Sequence, residues 1–286
     1  MDIEQWILNH EPTIRLSFFI GVFAAVALWE TRSPRRLRRL TRSLRWTHNL
    51  GLVFFNTALL RMLLPITAVG LAALSAEQGW GILNMVEWPL WIKAMVAIIV
   101  MDLVIWIQHV LVHAIPILWR LHRVHHADLD YDVTTGARFH PIEIILSMLI
   151  KLATLLVLGP PVVAVILFEV ILNAMAMFNH GNIRLPATVD RILRTLLVTP
   201  DMHRVHHSVE EDEANANFGF NLSLWDRLFG TYIAAPRKGQ EQMEIGIEGF
   251  NDPRQTNQIP GMLILPFQGK IDHYVINRRS WKKPNR

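Results

Sequence analysis

The chain contains no cysteine, and this absence excludes several classes of site at once. Disulfides, thiolate metal sites, iron–sulfur clusters and cysteine nucleophiles all require that residue. Any metal must therefore be held by nitrogen and oxygen. Charged residues make up only 18% of the 286 positions, whereas 51% are hydrophobic and fall in long blocks, with a positive mean hydropathy. This composition is typical of a polytopic membrane protein rather than a soluble globule.

Apolar blocks in the sequence predict about four to five membrane-spanning helices, because one crossing needs about 20 mostly apolar residues. The blocks cover residues 13–29, 50–76, 88–112 and 142–178. The last block is too long for one crossing and is interrupted at Gly159-Pro160-Pro161, so it is predicted to form a hairpin of two helices. Arginines, rather than a small-residue cleavage site, follow the first block, which favours an anchor over a signal peptide. Arg61, inside the second block, is expected to face protein rather than lipid.

Seven arginines lie between the first two apolar blocks, in the segment TRSPRRLRRLTRSLRW. On a soluble fold such a patch could bind nucleic acid. Between spanning segments it favours a cytoplasmic loop that can contact anionic headgroups, and no nucleic-acid partner is expected. With residues 31–47 in the cytoplasm, the acidic N-terminus (Asp2, Glu4, Glu11) and the 76–87 loop fall outside. The histidine motifs then share the cytoplasmic side of what we predict to be a bacterial inner-membrane protein.

Histidine is concentrated in one part of the chain, because ten of its 13 copies lie between His109 and His207. The pentapeptide HRVHH occurs at 122–126 and again at 203–207, without further similarity in its flanks. In a helix, its histidines at i, i+3 and i+4 lean to one side, while adjacent histidines differ by about 100° in direction. His125 and His126 could therefore serve two different metals. His109 and His113 share a helical face one turn apart.

Two pentapeptides and the His109/His113 pair supply eight imidazoles, which is more than one metal needs. A tetrahedral zinc takes four ligands and a catalytic zinc takes three. The set therefore predicts an all-nitrogen dinuclear site, which fits iron, although imidazole also suits zinc, copper and nickel. Zinc proteases use the same spacing in H-E-x-x-H, but Val110 follows His109, so the catalytic glutamate of that class is missing.

Three residues near these motifs have two candidate roles each. His140 precedes a proline and is either a ligand or a helix-start residue. His180 emerges from a spanning segment, which favours a ligand over a structural role. Asp102 lies two turns before His109 and either orients an imidazole or pairs elsewhere in the membrane. The nearby acids are predicted to be solvated loop residues rather than ligands: Asp128, Asp130, Asp132 and the EEDE run at 210–213.

The histidine pattern resembles that of the integral-membrane sterol desaturase and fatty acid hydroxylase superfamily. Its regions H-x3/4-H, H-x2-HH, a further histidine and a second H-x2-HH correspond to HVLVH, HRVHH, FNHGN and TPDMHRVHH here. The segments RFHP and NFGFNLSLWDRLFGTY extend the resemblance over about residues 98–234. The resemblance implies the following metal ligands: His109, His113, His122, His125, His126, His180, His203, His206, His207 and, with its alternative role, His140.

One position departs from the family pattern. Some members carry a second histidine four residues from the one that matches His180, and this chain has Ala176 and Arg184 at those two places. One ligand of the second metal is therefore open. His140, Asn179 or water could take that position.

The resemblance implies an all-α bundle of spanning helices with a cytoplasmic helical cap around two iron ions, for which zinc can substitute. It implies O2-dependent hydroxylation or desaturation of a fatty acyl chain, a sterol or a related isoprenoid lipid. No side chain can oxidise an unactivated C–H bond, so the chemistry needs the metal and no catalytic side chain beyond its ligands. Without cysteine or a His-Pro-Gly-Gly element, the chain is expected to take electrons from a separate ferredoxin, cytochrome or reductase.

The competing function is a histidine-rich metal transporter or metal-binding protein without redox catalysis. Transport would place ligands at mid-membrane, where the spans offer only Asp102, Lys151 and Glu169. An O2- and reductant-dependent change of lipid mass would separate the two functions. The predicted division of the chain is an N-terminal membrane region at 1–97, a catalytic region at 98–234 that includes the hairpin, and a polar cytoplasmic tail at 235–286.

Overall fold

The computed structural model describes residues 6, 7, 9–269 and 274–276. These residues form helices and isolated β-bridges but no strand, so the all-α prediction is confirmed. Short 3-10 turns cover Ile82–Asn84, Thr135–Ala137 and Leu265–Phe267. The α-helices are α1 (Glu11–Arg32), α2 (Arg42–Leu63), α3 (Ala68–Gln78), α4 (Leu90–Ala114), α5 (Pro116–His126), α6 (Pro141–Leu158), α7 (Val162–Asn179), α8 (Ala187–Leu193), α9 (Pro200–His206), α10 (Glu211–Ala214), α11 (Leu224–Leu228), α12 (Gly239–Gln242), α13 (Pro253–Thr256) and α14 (Ile259–Ile264).

Five segments of the described chain are long and apolar enough to cross a membrane: α1, the pair α2–α3, α4, α6 and α7. The second segment is bent, because α2 ends before Pro65, which has no N–H to continue the helix. The expectation for Arg61 is wrong, since its side chain is exposed in the last turn of α2. A long arginine side chain near a helix end can extend its charge to the membrane interface.

Helices α6 and α7 form the predicted hairpin. Gly159 ends α6 in the left-handed conformation, with φ of 62°, and Pro161 caps α7. Gly81, in the loop before α4, lies directly against Gly159, and a Cβ on either glycine would collide with the facing backbone. Glycine is therefore needed at both positions. The close approach holds the turn of the hairpin against the 79–89 loop.

A group of charged side chains ties three of the spanning helices together. Glu169 of α7 lies 3.0 Å from the Lys151 ammonium of α6 and 3.1 Å from the Arg15 guanidinium of α1. Charged groups within a membrane are stable only when they are paired in this way. Lys151 and Glu169, the two charged residues that a transporter could have used, therefore hold helices together instead.

The arginine-rich segment lies on the same side of the bundle as the second pentapeptide. Arg35 donates to Asp201 in α9 at 3.2 Å and to Glu241 in α12 at 2.8 Å. Arg36 donates to the backbone carbonyls of Gln240 and Met243. These arginines therefore bind the short helices that follow α7 rather than lying free in a loop. We call these short helices, together with α5, the cap.

The described part of the 235–286 tail packs on the cap. Met262, Leu265 and Tyr274 share a buried apolar cluster with Trp119 of α5 and Leu52 of α2. The basic end of the tail, RRSWKKPNR, lies outside the described residues, as do Asp2 and Glu4.

Candidate metal centre

Nine buried histidines form two adjacent groups on one side of the bundle. Within each group, one ring nitrogen of every histidine lies within 4.8 Å of the others. A zinc-to-imidazole bond is about 2.1 Å, so nitrogens on opposite sides of an ion lie about 4.2 Å apart, which matches this spread. The five-histidine group is His109, His113, His122, His126 and His206, and the four-histidine group is His125, His180, His203 and His207.

Proline starts both helices that carry the pentapeptides. Pro116 opens α5 directly after the end of α4, and Pro200 opens α9 behind the N-cap Thr199, whose side chain accepts from Met202. Proline suits the first helical position, because its missing N–H has no partner there anyway. The corner between α4 and α5 brings the rings of His113 and His122 within 5.0 Å of each other.

Each pentapeptide gives two histidines to one group and one histidine to the other, and the two copies do so in opposite ways. In each copy the outer two histidines, at i and i+4, join one group, and the middle one joins the other. The division is His122 and His126 against His125 in the first copy, and His203 and His207 against His206 in the second. Adjacent side chains on a helix point about 100° apart, which is why neighbouring histidines separate.

The arginine and valine of each pentapeptide are buried away from the histidines. Arg123 donates to the Leu265 carbonyl at 2.6 Å, and Arg204 donates to the Gly181 carbonyl at 3.1 Å. The valines that follow them are fully buried. The side chains therefore have the same roles in both copies. The histidines line the centre, while the arginine and the valine pack the helix against the cap.

Backbone carbonyls orient two imidazoles of the five-histidine group. The Nδ1 atom of His109 lies 2.8 Å from the Phe218 carbonyl, and that of His206 lies 2.7 Å from the Ala216 carbonyl. Each Nδ1 must donate, which leaves the Nε2 lone pairs facing each other at 2.9 Å. An outward hydrogen bond of this kind fixes the tautomer that binds a metal through Nε2.

Side chains orient two more imidazoles of the same group. The Nδ1 atom of His122 lies 2.6 Å from Glu143 Oε1, and that of His113 lies 3.1 Å from Asn215 Oδ1. The Nε2 atoms of both histidines are buried without a protein hydrogen-bond partner. A carboxylate behind an imidazole raises its basicity as a ligand. An ion in this group would supply the partner that these inward nitrogens lack.

In the four-histidine group, fewer imidazoles are oriented by hydrogen bonds to the protein. The Nδ1 atom of His180 donates to the Ala176 carbonyl at 2.8 Å, and its Nε2 lies 3.2 Å from that of His125 and 3.1 Å from that of His203. The Nδ1 atom of His125 and both ring nitrogens of His207 are buried without a hydrogen-bond partner. Four imidazoles and several unsatisfied nitrogens are the donor set expected of a second metal position.

Burial favours the neutral form of several histidines in both groups. It lowers the pKa of His180, in the four-histidine group, and of His206, in the five-histidine group, to about 3. The pKa values of His125, His126 and His207 also fall well below the usual range, because burial and the neighbouring imidazoles disfavour a positive charge. Metal binding needs the neutral ring, so the site is ready for a cation at neutral pH.

His140 lies outside both groups, and its helix-start alternative describes its contacts. It is the N-cap of α6, where its Nδ1 accepts from the Ile142 N–H at 3.2 Å. Its Nε2 donates to the Leu263 carbonyl at 3.3 Å. Both ring nitrogens are thus committed to backbone groups, and the ligand role is not supported.

Asp102 and Asn179 also lie outside the groups. Asp102 accepts from Trp225 Nε1 at 2.8 Å and from the Leu222 N–H at 3.3 Å, so it holds the loop before α11 instead of orienting an imidazole. The Asn179 side chain donates to the Phe220 carbonyl at 2.9 Å. Residues 218–225 therefore contact the middle of α4 through Asp102 and the end of α7 through Asn179.

The expectation that the loop acids are solvated is wrong for most of them, although none joins a histidine group. Asp128 and Asp132 are fully buried, and both are paired with Arg45 of α2. Arg45 and Arg138 hold the pKa of Asp128 well below its usual range. Asp130, also buried, accepts from two backbone N–H groups at 2.8 Å each. The acids thus clamp the loop between the first pentapeptide and the hairpin.

The acidic run at 210–213 contains both buried and exposed side chains. Glu213 is buried and accepts from the Arg237 N–H at 2.6 Å, whereas Asp212 is exposed and pairs with the Arg237 side chain. Asp212 fits the prediction, whereas Glu213 does not. These contacts attach the tail to α10.

Sequence reasoning missed the residues that orient the imidazoles. The role of Glu143 could have been suspected from the sequence, because an acid in the first turn of an apolar spanning helix needs a partner. Asn215 carried none, and neither did the carbonyls of Phe218 and Ala216. Gly136 also escaped notice, although a Cβ there would lie 2.8 Å from His180 Nδ1 and against the Ala176 carbonyl.

Comparison with known proteins places this centre in a family. Residues 94–231 match the model of the fatty acid hydroxylase family. The chain is 29% identical over 193 residues to ornithine lipid hydroxylase OlsE of Rhizobium tropici, an alignment that covers 68% of this chain and 56% of that protein. Residues 94–231, just under half of the chain, thus carry the pattern of the fatty acid hydroxylase family, which is grouped with the sterol desaturases. The resemblance drawn from its histidine motifs is confirmed.

Other members of the superfamily are matched over shorter stretches. Alkylglycerol monooxygenase of Xenopus tropicalis is 29% identical over 173 residues, which is 59% of this chain and 33% of that protein. The Homo sapiens protein of the same name is 29% identical over 135 residues, or 46% and 28% of the two chains. The chain thus spans about half, or less, of the length of these relatives. No solved structure matches it significantly.

Proposed function

We propose that this protein is a membrane-bound oxygenase that uses O2 and external electrons to hydroxylate a chain of a membrane lipid. The observation that carries the proposal is the convergence of nine buried imidazoles in two adjacent groups at the ends of membrane-spanning helices. The names of the relatives describe lipid hydroxylation and alkylglycerol monooxygenation, which favours hydroxylation over desaturation and a non-sterol lipid over a sterol.

We propose one iron ion in each group, with zinc as a substitute. The donor set fits this assignment, because it is entirely imidazole and leaves inward nitrogens without a protein partner. Bound iron would supply the activation of O2 that breaks an unactivated C–H bond. The ligands are proposed to be the nine grouped histidines.

The chain's own residues hold the donors and exclude water. Hydrogen bonds from Nδ1 to Glu143 and to the Phe218 carbonyl fix the rings of His122 and His109 with Nε2 inward. Phe139 stacks on His125 with ring centroids 4.5 Å apart and covers one side of the four-histidine group. Exclusion of water protects a reactive centre from side reactions.

The proposal includes an orientation and an electron source. The arginine-rich segment contacts the cap that carries the histidines, and positive loops favour the cytoplasm, so we assign the centre to the cytoplasmic side of a bacterial inner membrane. Electrons would come from a separate ferredoxin, cytochrome or reductase, since this chain has no cysteine to hold an iron–sulfur cluster.

The proposed catalytic region is residues 98–234.

The test is oxygen incorporation into lipid. The full-length protein, loaded with iron(II) in native-lipid nanodiscs, is given reductant and ¹⁸O-labelled O2, and the lipids are analysed by mass spectrometry. We expect a lipid that gains one labelled oxygen atom, and no such product with His206→Ala. Loss of two hydrogens without added oxygen would replace hydroxylation by desaturation. Unchanged lipids with fully loaded protein, together with metal flux into sealed vesicles, would favour the transporter instead.

A further inference from the structure

An exposed apolar surface lies on the cap, away from the histidine groups. Each of its six side chains is 42–66% exposed, and no residue of α8 is buried. Exposed apolar patches on folded proteins mark contacts with other molecules or with membranes. We call this surface the cap patch, and its residues are Val189, Ile192, Leu196, Leu224, Leu228 and Phe229.

The two segments that carry the cap patch form one unit. The Ser223 N–H donates to the Leu196 carbonyl at 2.9 Å, and the Val198 N–H donates to the Asn221 carbonyl at 2.9 Å. An isolated β-bridge joins Leu197 and Leu222 between these bonds. Helices α8 and α11 therefore present their apolar side chains from a single, connected base.

The base of the cap patch is fixed to the second half of α4. Phe229 stacks on Trp106 with centroids 4.6 Å apart, Trp106 Nε1 donates to Asp226 at 3.1 Å, and Trp225 Nε1 donates to Asp102 at 2.8 Å. At about 1.5 Å per residue, Asp102 lies about 18 Å and Trp106 about 24 Å along α4 from its start at Leu90. The hydrocarbon core is about 30 Å thick, so if it begins near Leu90, α11 lies against the part of α4 inside the histidine-side leaflet.

Arginines accompany the apolar side chains. Arg191 is exposed and makes no ion pair within the described part of the chain. Arg227 lies over the Tyr232 ring at 4.0 Å, and Arg194 pairs with Asp190. Apolar side chains bordered by arginine are the pattern of an element that lies in the interface of a membrane with anionic lipids.

We propose that the cap patch is embedded in the lipid leaflet on the histidine side, with Arg191 and Arg227 at the level of anionic headgroups. The occupant is the bilayer itself, because the patch is fixed against the spanning helix α4 and carries the charge that phosphate attracts. The cap is then held to the membrane by its own surface as well as by the spanning helices. This proposal does not depend on the oxygenase assignment.

Depth measurements on the full-length protein test the proposal, and the absence of cysteine makes single-site labelling direct. A fluorescent label is placed by Ile192→Cys or Leu228→Cys in the cap patch. Leu149→Cys on the exposed face of α6 is the lipid reference, and Asp212→Cys on the cap surface is the aqueous reference. The protein is reconstituted in phosphatidylcholine and phosphatidylglycerol vesicles that contain brominated chains.

We expect the two patch labels to lose as much fluorescence to brominated lipid as the Leu149 label, and to resist aqueous iodide. Quenching by iodide that matches the Asp212 label would overturn the proposal. Protection from both quenchers would also overturn it, because a second copy of the chain or another protein would then cover the patch. Two labelled positions guard against one variant that fails to fold.

The arginine part has its own measurement. Arg191→Gln should weaken the preference of the patch for phosphatidylglycerol over phosphatidylcholine about fivefold, as expected for one arginine near an anionic surface. The readout is the extra quenching of the Leu228 label when phosphatidylglycerol is added to phosphatidylcholine. Lys238→Gln, a charge removal elsewhere on the cap, is the matched control and should leave this increment unchanged. An equal increment in the Arg191 variant and the control would exclude the headgroup contact.

Discussion

The five-histidine and four-histidine groups draw on the same pentapeptide, yet they are supported differently. In the larger group four imidazoles donate from Nδ1 to protein acceptors, namely Phe218, Asn215, Glu143 and Ala216. In the smaller group His180 donates to the Ala176 carbonyl, while His125 and His207 have Nδ1 atoms without partners. A repeated sequence thus produced repeated ligand geometry, while residues outside the repeat decided how firmly each ring is held.

This difference has a consequence for metal affinity. Outward hydrogen bonds fix ring orientation and strengthen an imidazole as a ligand. The larger group has both more donors and more of these bonds. We therefore expect it to bind its ion more tightly, and the following changes test that contrast between the groups.

The largest effect should follow the removal of one ligand from either group. His125→Ala empties the four-histidine group of its ion, and His206→Ala does the same to the five-histidine group, because each loses a buried donor. Lipid oxidation should fall to background in both variants. Metal per chain is measured by inductively coupled plasma mass spectrometry, with circular dichroism as the folding control. Activity retained by either variant would contradict a dinuclear centre.

Glu143 should affect only one group. Glu143→Ala removes the acceptor behind His122, and loss of such an outer partner typically weakens metal binding by 10–100-fold. Chelator competition should show this loss for the tighter ion and no change for the other. Glu143→Gln keeps an acceptor oxygen and should recover part of the affinity. If both ions weakened equally, the two groups would not be independent in their support.

Acid should act on the two groups alike. His180 and His206, one from each group, both have a pKa of about 3 when folded, below the value of about 6.5 in an unfolded chain. The unfolded state then binds protons first, so the stability of metal-free protein is full above about pH 6.5 and declines as the pH falls toward 3. Thermal unfolding of metal-free protein across this range measures the decline. Greater stability at pH 5 than at pH 7 would reverse the sign.

The smallest effect is expected at His140, which belongs to neither group. His140→Ala removes an N-cap interaction of α6 and should cost about 1 kcal/mol of stability, a typical value for a lost cap. Both ions and the full oxidation rate should remain. Metal analysis and a denaturant titration of the variant check the two halves of this prediction. Loss of one ion would return His140 to the ligand set.

Local patterns predicted a large part of this molecule. The spanning segments, the break at Gly159 and the helical spacing of the histidines depend on residues within a few turns of each other. The acids after His126 were misjudged, because their partner Arg45 lies more than 80 residues earlier and within an arginine run that suggested a loop. Arg61 was misjudged for a related reason, since an apolar block gives no indication of which helix face meets protein.

The sequence by itself determined the membrane helices, the nitrogen-only donor set and the family. Each follows from the chemistry of residue types or from spacing along one helix. Only the tertiary structure decided which histidines lie in the same group, which acceptors stand behind them, and that Asp102 and His140 bind groups other than imidazoles. The physical reason is that these contacts join positions as far apart as His109 and Phe218, whose meeting depends on how whole helices pack.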